Sequence, residues 1–346
     1  MKMNKPAVSE NIENVYRNLL APSDDLVSDI VKIEGDIMIL GVGGKMGPGL
    51  AKVARLAAVK AGIAKKIIGV ARFSEPGLQE QLIKEGVETI SVDLLNDEQL
   101  QALPDVKNIL YLAGTKFGTS GNPSFTWAMN AYLPGRVAQR FKDSRIVVFS
   151  TGNVYPMSPV YFGGITEHNP PSPTGEYGQS CLGRERLFQH YASIYNTPLL
   201  IYRLNFANDV TYGVLLEVAR SVKEGRLIDL SMGHFNAIWQ GDANEIAVRC
   251  LLHCATPAKI LNVSGPETIS VRWLAEEFGR MFGRQPVFIN EEKPTAFLSN
   301  TAECARLFGY PKVTLKQVME LLTEWINHGG KTINKPTHFQ ERSGNY

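Results

Sequence analysis

Gly41, Gly44 and Gly47 recur at every third position in Ile39-Leu40-Gly41-Val42-Gly43-Gly44-Lys45-Met46-Gly47, directly after an apolar run and directly before an alanine-rich stretch. Glycines at a strand-to-helix junction let the chain turn tightly, bring backbone N–H groups against a pyrophosphate and seat the helix close to the strand. The order strand, glycines, helix separates a dinucleotide turn from the many loops that glycine punctuates. Gly41, Gly44, Lys45, Met46 and Gly47 are therefore candidate cofactor contacts. After the next strand the chain reads Gly69-Val70-Ala71-Arg72-Phe73-Ser74, with no carboxylate to accept a ribose 2′-hydroxyl. An arginine there can pair with a 2′-phosphate through a bidentate, charge-assisted contact. Arg72, with Ser74 or Lys45, favours NADP; NAD stays possible if Arg72 only stacks on adenine.

A second group of candidates lies further along. Tyr177 and Cys181 are four apart in a helical pattern and so share a face. Between Thr151 and Tyr177 runs a Pro/Gly/aromatic loop, Tyr155 to His168, from which Tyr155 and Glu167 are candidate substrate contacts and His168 an acid or base near neutrality. A solvated loop histidine is the plainer reading of His168. The four cysteines, Cys181, Cys250, Cys254 and Cys304, form no C-x-x-C pair and are too scattered for a disulfide framework, so no metal site is expected and the compartment expected is the cytoplasm.

These candidates need elements to hold them. The 346 residues, 44% hydrophobic with a formal net charge of +2, suffice for one large or two unequal domains. The charge balance leaves no basic stripe for nucleic acid and no polybasic cluster for a membrane, so a small-molecule partner is expected. Residues 1–34 read as a helical appendage, with helices over Asn11 to Leu20 and Asp24 to Val31. From residue 35 to 205 apolar β-rich runs alternate with amphipathic ones: strands at Ile37–Leu40, Lys66–Val70, Glu88–Ser91, Asn108–Leu112, Arg145–Ser150 and Pro198–Arg203, and helices at Gly47–Ala61, Leu78–Glu85, Phe125–Phe141 and Tyr177–Tyr195. That alternation predicts an α/β fold, a Rossmann-type doubly wound parallel sheet. Residues 236–265 are expected to complete the sheet, 206–235 and 266–330 to form a smaller C-terminal substrate lobe, and 331–346 a tail.

The series of motifs resembles the extended short-chain dehydrogenase/reductase family, the NAD(P)-dependent sugar epimerases and dehydratases. The G-x-x-G-x-x-G spacing is that family's, and the likeness continues over residues 35 to 325. Asp93 and Leu94, in Val92-Asp93-Leu94, look like its segment near the adenine, and Leu112, Ala113 and Gly114 like the strand end beneath the dinucleotide. Asn130 falls where the family has a helix asparagine. Phe149-Ser150-Thr151-Gly152-Asn153-Val154-Tyr155 is similar to its S-[ST]-x-x-V-Y-G segment, and Arg203-Leu204-Asn205 to its R-x-x-N. The resemblance implies that Tyr177 exchanges a substrate proton, that Thr151 positions the substrate hydroxyl, and that Asn205 and Tyr177 touch the cofactor. It also places His234 and Trp239 toward the substrate, although a core or turn role suits them as well. Dimerisation through two helices flanking the sheet is implied on the same basis.

One departure bears on the chemistry. The family has a lysine four residues after the tyrosine, and this chain has Cys181. A phenol ionising near ~10 is a poor base at neutral pH without a nearby cation, and a thiolate would raise its pKa further. Three readings stand open: a relocated cation such as Arg184 activates Tyr177; Cys181 is itself a proton carrier or nucleophile rather than a buried helix residue; or the protein is a catalytically silent NADP-binding sensor or interaction protein. The leading expectation is an NAD(P)-dependent oxidoreductase or epimerase acting on a hydroxyl or carbonyl carbon of a sugar or sugar-derived acid. Arg203, Arg220, Arg226, Arg249 and Arg272 form no evident clamp for a nucleotide diphosphate, which favours a smaller substrate.

Overall fold

The computed structural model describes residues 10–116, 118 and 121–346. Two helices come first, α1 (Glu10–Leu19) and α2 (Asp24–Lys32). Seven strands then build one parallel sheet: β1 (Ile37–Leu40), β2 (Ile67–Ala71), β3 (Glu88–Ser91), β4 (Asn108–Tyr111), β5 (Arg145–Thr151), β6 (Leu199–Leu204) and β7 (Lys259–Val263). Their order across the sheet is β3-β2-β1-β4-β5-β6-β7. The direction of winding reverses between β1 and β4, and the crevice at such a reversal, beyond the carboxyl ends of the strands, is where an open α/β sheet takes a ligand. β1 and β4 are buried at every residue, as strands covered on both faces must be.

On one face lie α3 (Gly47–Lys60) and α10 (Gln240–Arg249), with Leu50, Ala54, Ala57 and Ala247 in the core. α4 (Leu78–Lys84) lies on the same face near the sheet edge, with Leu78 and Leu82 in that core. The other face carries α5 (Asp97–Gln101) near its edge, then α7 (Leu133–Arg140) and α8 (Gly175–Tyr195), whose Leu133, Val137, Phe188 and Ala192 pack on the strands. A separate core in the smaller lobe joins α9 (Val214–Glu224), α11 (Val271–Phe282) and α13 (Leu315–Asn327); α12 (Ala302–Phe308) covers the β7 edge.

The single helix expected over Phe125–Phe141 is three pieces: α6 (Pro123–Trp127), a π-helical turn over Ala128–Tyr132, and α7. Pro134 has no N–H for the carbonyl of residue 130, which removes a rung of the α-helical ladder and favours a wider turn at that point.

The N-terminal helices are less of an appendage than the composition suggests. Leu26, Ile30 and Ile33 are completely buried against α3 and α10, each contributing on the order of 1.5–3 kcal/mol by burial. Ser23 caps α2 and donates its N–H to Glu245 on α10 at 3.1 Å. α1 packs on α13 through Ile12 and Tyr16, so this N-terminal pair of helices bridges both cores.

Candidate functional site

The glycine turn adopts the geometry its sequence calls for. Gly41 has φ +90°, and a Cβ there would stand 2.6 Å from the Ala113 nitrogen; one at Gly47 would stand 2.2 Å from the Val42 carbonyl oxygen. Only glycine allows the loop to lie this close to β4 and α3 to begin this close to β1. A cavity of about 310 Å³ opens beside the turn, lined by Gly41, Gly44, Arg72, Ser74, Asp93, Leu94, Leu112, Ala113 and Gly114. Residues expected separately, from Gly41 to Gly114, thus converge on one groove. Arg72 and Ser74 are exposed at its rim. The Asp93 carboxylate accepts the Leu95 N–H at 3.0 Å, so it also shapes the turn after β3.

A second cavity, about 270 Å³, lies at the other end of the glycine loop and contains Lys45, Met46, Thr151, Tyr177 and Asn205. Lys45 lines this cavity rather than the one that holds Arg72 and Ser74, and its ammonium sits 3.3 Å above the centre of the Tyr212 ring. Thr151 ends β5, and its hydroxyl accepts the Asn153 N–H at 3.2 Å and donates to the Asn153 side chain at 3.0 Å. Tyr177 stands on the first turn of α8 and lines the cavity together with Thr151. Burial, with Cys181 alongside, holds its phenol well above the usual value; Arg184 and the Thr151 hydroxyl act in the opposite direction.

Behind this pair lies a buried polar layer. The Arg184 guanidinium donates to the Phe149 carbonyl at 2.7 Å and to Asn130 Oδ1 at 2.9 Å, and it rests against Gly114. Asn130, inside the π turn, also accepts the Thr115 N–H at 2.8 Å and donates to the Thr115 carbonyl at 2.8 Å and to Ser180 at 3.0 Å. Asn130 thus fixes the loop after β4 against α8. The next residue in that loop is Lys116, whose ammonium lies 5.6 Å from the centre of the Tyr177 ring. Burial pushes the Lys116 amine down to about 8.

Cys181 is completely buried beneath Tyr177 and does not line the cavity. Burial raises its thiol pKa, with Arg184 and Tyr177 opposing, which favours the neutral thiol. Deeper still, Glu185 accepts two bonds from Arg203, at 2.9 and 2.6 Å, and one from Ser150 at 2.6 Å. That pair ties α8 to β5 and β6, and so sets Tyr177 against Thr151.

With this geometry in view, the comparison with known families is decisive. Residues 37–228 match the model of the NAD dependent epimerase/dehydratase family. The chain belongs to that family. It is an NAD(P)-dependent oxidoreductase or epimerase of the extended short-chain dehydrogenase type, with a nicotinamide cofactor. No curated protein sequence matches at a significant level. Among solved structures the chain is similar to UDP-glucuronic acid 4-epimerase from Bacillus cereus in complex with NAD, at 19% identity and a TM-score of 0.68, over 86% of this chain and 100% of that one. It is also similar to UDP-glucose 4-epimerase from Thermus thermophilus in complex with NAD, at 16% identity and a TM-score of 0.67, over 84% and 99%. A third, UDP-glucose 4-epimerase from Thermotoga maritima with UDP-glucose, has 15% identity and a TM-score of 0.66, over 85% and 99%. At these identities the likeness is one of fold.

Within this epimerase/dehydratase fold, four expected substrate contacts lie elsewhere. Tyr155 is buried, its hydroxyl donating to Asn262 at 3.0 Å and accepting from Arg203 at 2.5 Å. Glu167 accepts the Asn262 N–H at 2.8 Å. Trp239 is buried, and its indole donates to the Leu19 carbonyl at 3.0 Å, which holds α1. His234 faces Glu292 in the smaller lobe, and burial lowers its pKa. His168 is exposed. Tyr155, Trp239 and Glu167 stand in the site-like segments, but their polar atoms are already taken up by the scaffold.

Two site residues escaped the sequence reading. Lys116 follows Gly114 by two positions, and a cation so close to the segment under the dinucleotide was the available signal. Tyr346 gave none. Residues 337–346 return across the smaller lobe: Thr337 donates to Glu217 at 2.8 and 2.6 Å, Phe339 enters the lobe core, and Arg342 donates to the Thr295 carbonyl at 2.7 Å. The segment then meets α8, where a Cβ on Gly175 would lie 2.3 Å from the Gly344 oxygen. Tyr346 ends beside Tyr177, ring centres 5.4 Å apart and edge to face, its hydroxyl accepting from Asn153 at 2.5 Å. Among the described residues no group of three side chains is placed to hold a metal ion, and no helix is long and apolar enough to cross a membrane.

Proposed function

We propose that the protein oxidises, reduces or epimerises a hydroxyl-bearing carbon of a sugar or sugar-derived acid, with Tyr177 as the proton-transferring residue. The observation that carries this is that Tyr177 and Thr151 line one cavity at the end of the glycine loop, with the Arg184 guanidinium buried behind them. The groove suits a dinucleotide: its glycine turn presents backbone N–H groups, and Arg72 and Ser74 stand at the far rim, where they support NADP over NAD. When bound, the nicotinamide accepts or returns the hydride. Thr151 orients the substrate hydroxyl. Tyr177 takes that proton in the oxidising direction and returns it in the reducing one. Arg184 acts through Tyr177 as a positioning residue, a permanent buried cation that favours the phenolate where the family uses lysine. Phe125, Tyr132, Ile194 and Tyr195 leave exposed apolar surface on the helices flanking the sheet, which supports a homodimer.

The test is single-turnover mixing of NADPH-loaded protein with keto-sugars, sugar lactones and nucleotide sugars, following loss of reduced-cofactor absorbance. Turnover by the wild type that falls with Tyr177→Phe, cofactor binding being retained, is expected. Turnover indifferent to Tyr177→Phe refutes the assignment.

A further inference from the structure

The cavity holding Thr151 and Tyr177 has an uneven charge. Lys45 and Lys116 both line it, from different loops, and no Asp or Glu is among its described lining residues. Lys45 lies over Tyr212, while Lys116 lies over Tyr346, 4.5 Å from its ring centre, and over Tyr177. Each amine is drawn below its ordinary value, Lys45 to about 7 by burial and by the charges of Lys116 and Lys335, Lys116 to about 8 by burial. Two ammonium groups in one partly desolvated chamber repel, and an anion entering between them relieves both the repulsion and the desolvation.

The rest of the lining is neutral but for the backbone dipoles. Gln240 offers an amide to hydroxyl groups, and Phe206 offers a ring to C–H surfaces. Lys45 belongs to the glycine loop and so bears on the cofactor phosphates, whereas Lys116 stands at the Tyr177 end.

Size is bounded from two sides. Of the five arginines considered for a diphosphate clamp, Arg203 is held by Glu185 and Arg249 by Asp29, and none of the five lines this cavity. Tyr346 meanwhile packs against the reacting tyrosine.

We propose that the substrate is a small sugar derivative bearing a carboxylate or phosphate and no nucleotide, and that Lys116 is the residue that selects it. This rests on Tyr177 marking the reacting centre.

The experiment measures thermal unfolding of protein saturated with NADP, so that the cofactor's own phosphates are already in place. The probes, at constant ionic strength, are gluconate, galactonate, glucuronate, galacturonate and glucose 6-phosphate, against glucose, galactose and UDP-glucose. At least one anionic sugar is expected to raise the midpoint while the neutral sugars and UDP-glucose do not; the carboxylates and the 6-phosphate separate the two forms of the anion. Lys116→Met is expected to weaken that binding tenfold or more, and Lys116→Arg to keep most of it. No shift with any anionic probe, an equal shift with a neutral sugar or UDP-glucose, or an undiminished anion shift in Lys116→Met overturns the proposal. Neutral sugars turned over in a Tyr177-dependent way would sink this inference and leave the acid–base assignment standing. Lys116-dependent anion binding with turnover indifferent to Tyr177→Phe would do the reverse.

Discussion

Glu185 is the residue whose loss the fold should feel most specifically. Its side chain is fully buried, that of Arg203 is 1% exposed, and the two are joined by bonds of 2.9 and 2.6 Å, with Ser150 adding a third at 2.6 Å. Glu185→Gln keeps the shape and an acceptor for Ser150 but removes the carboxylate hydrogen-bonded to the buried guanidinium. Removing one partner of a buried pair costs about 3–5 kcal/mol, because the remaining charge cannot return to water. In Glu185→Leu/Arg203→Met both charges go, and what persists is the loss of partners for Ser150 and Tyr155, on the order of 1 kcal/mol each. The double variant should therefore be more stable than Glu185→Gln. Urea unfolding followed by both fluorescence and circular dichroism measures the series and checks that one transition is being read. A cost below about 1 kcal/mol for Glu185→Gln, or a double variant less stable than the single one, would refute the reasoning. Because Ser150 adjoins Thr151, and Glu185 lies two turns along α8 from Tyr177, the single variant should also lose kcat even where it remains folded.

Other perturbations test other parts. Arg72→Ala should weaken NADP by about tenfold or more, the loss of a charge-assisted contact, and leave NAD nearly unchanged, as read by calorimetric titration. Burial raises the Asp242 carboxyl to about 6, and the Val313 N–H and Lys312 only partly offset it. A folded pKa above the unfolded value contributes stability that is fully present below about 4 and lost as pH rises through 6, so wild type should lose about 3 kcal/mol relative to Asp242→Asn between pH 4 and 8. Equal pH dependence of the two proteins would contradict this. Tyr346→Ala removes a ring that packs on Tyr177, so bulkier substrates should be admitted, with KM moving more than kcat for the native one. Unchanged selectivity across the probe panel would show that the ring does not bound the site.

The parts legible in the sequence were those whose signal is local. A glycine turn needs only its own residues and their neighbours, so Gly41, Gly44 and Gly47 announced both the strand before and the helix after. The parallel sheet followed from alternation alone. What failed required knowledge of partners across the fold. Trp239 and Tyr155 are aromatic residues with polar tips in family-like segments, yet Leu19, 220 positions away, and Asn262, 107 positions away, had already taken those tips. Pro134 was visible within the long helical pattern, but that it would open a π turn and turn Asn130 onto Thr115 depends on the surrounding contacts. Lys116 was hidden because its role comes from Asn130 fixing its loop, and Tyr346 because the tail's path is set by Thr337, Phe339 and Arg342 docking on the smaller lobe.

The central claim is that Tyr177 moves the proton. Single-turnover kinetics of NADPH-loaded wild type and Tyr177→Phe, on whichever probe the wild type turns over, tests it most directly. A fall of about 10²–10⁴-fold in the rate, with the NADPH-induced rise in unfolding midpoint preserved, is the predicted result. An unchanged rate in the variant would contradict the account.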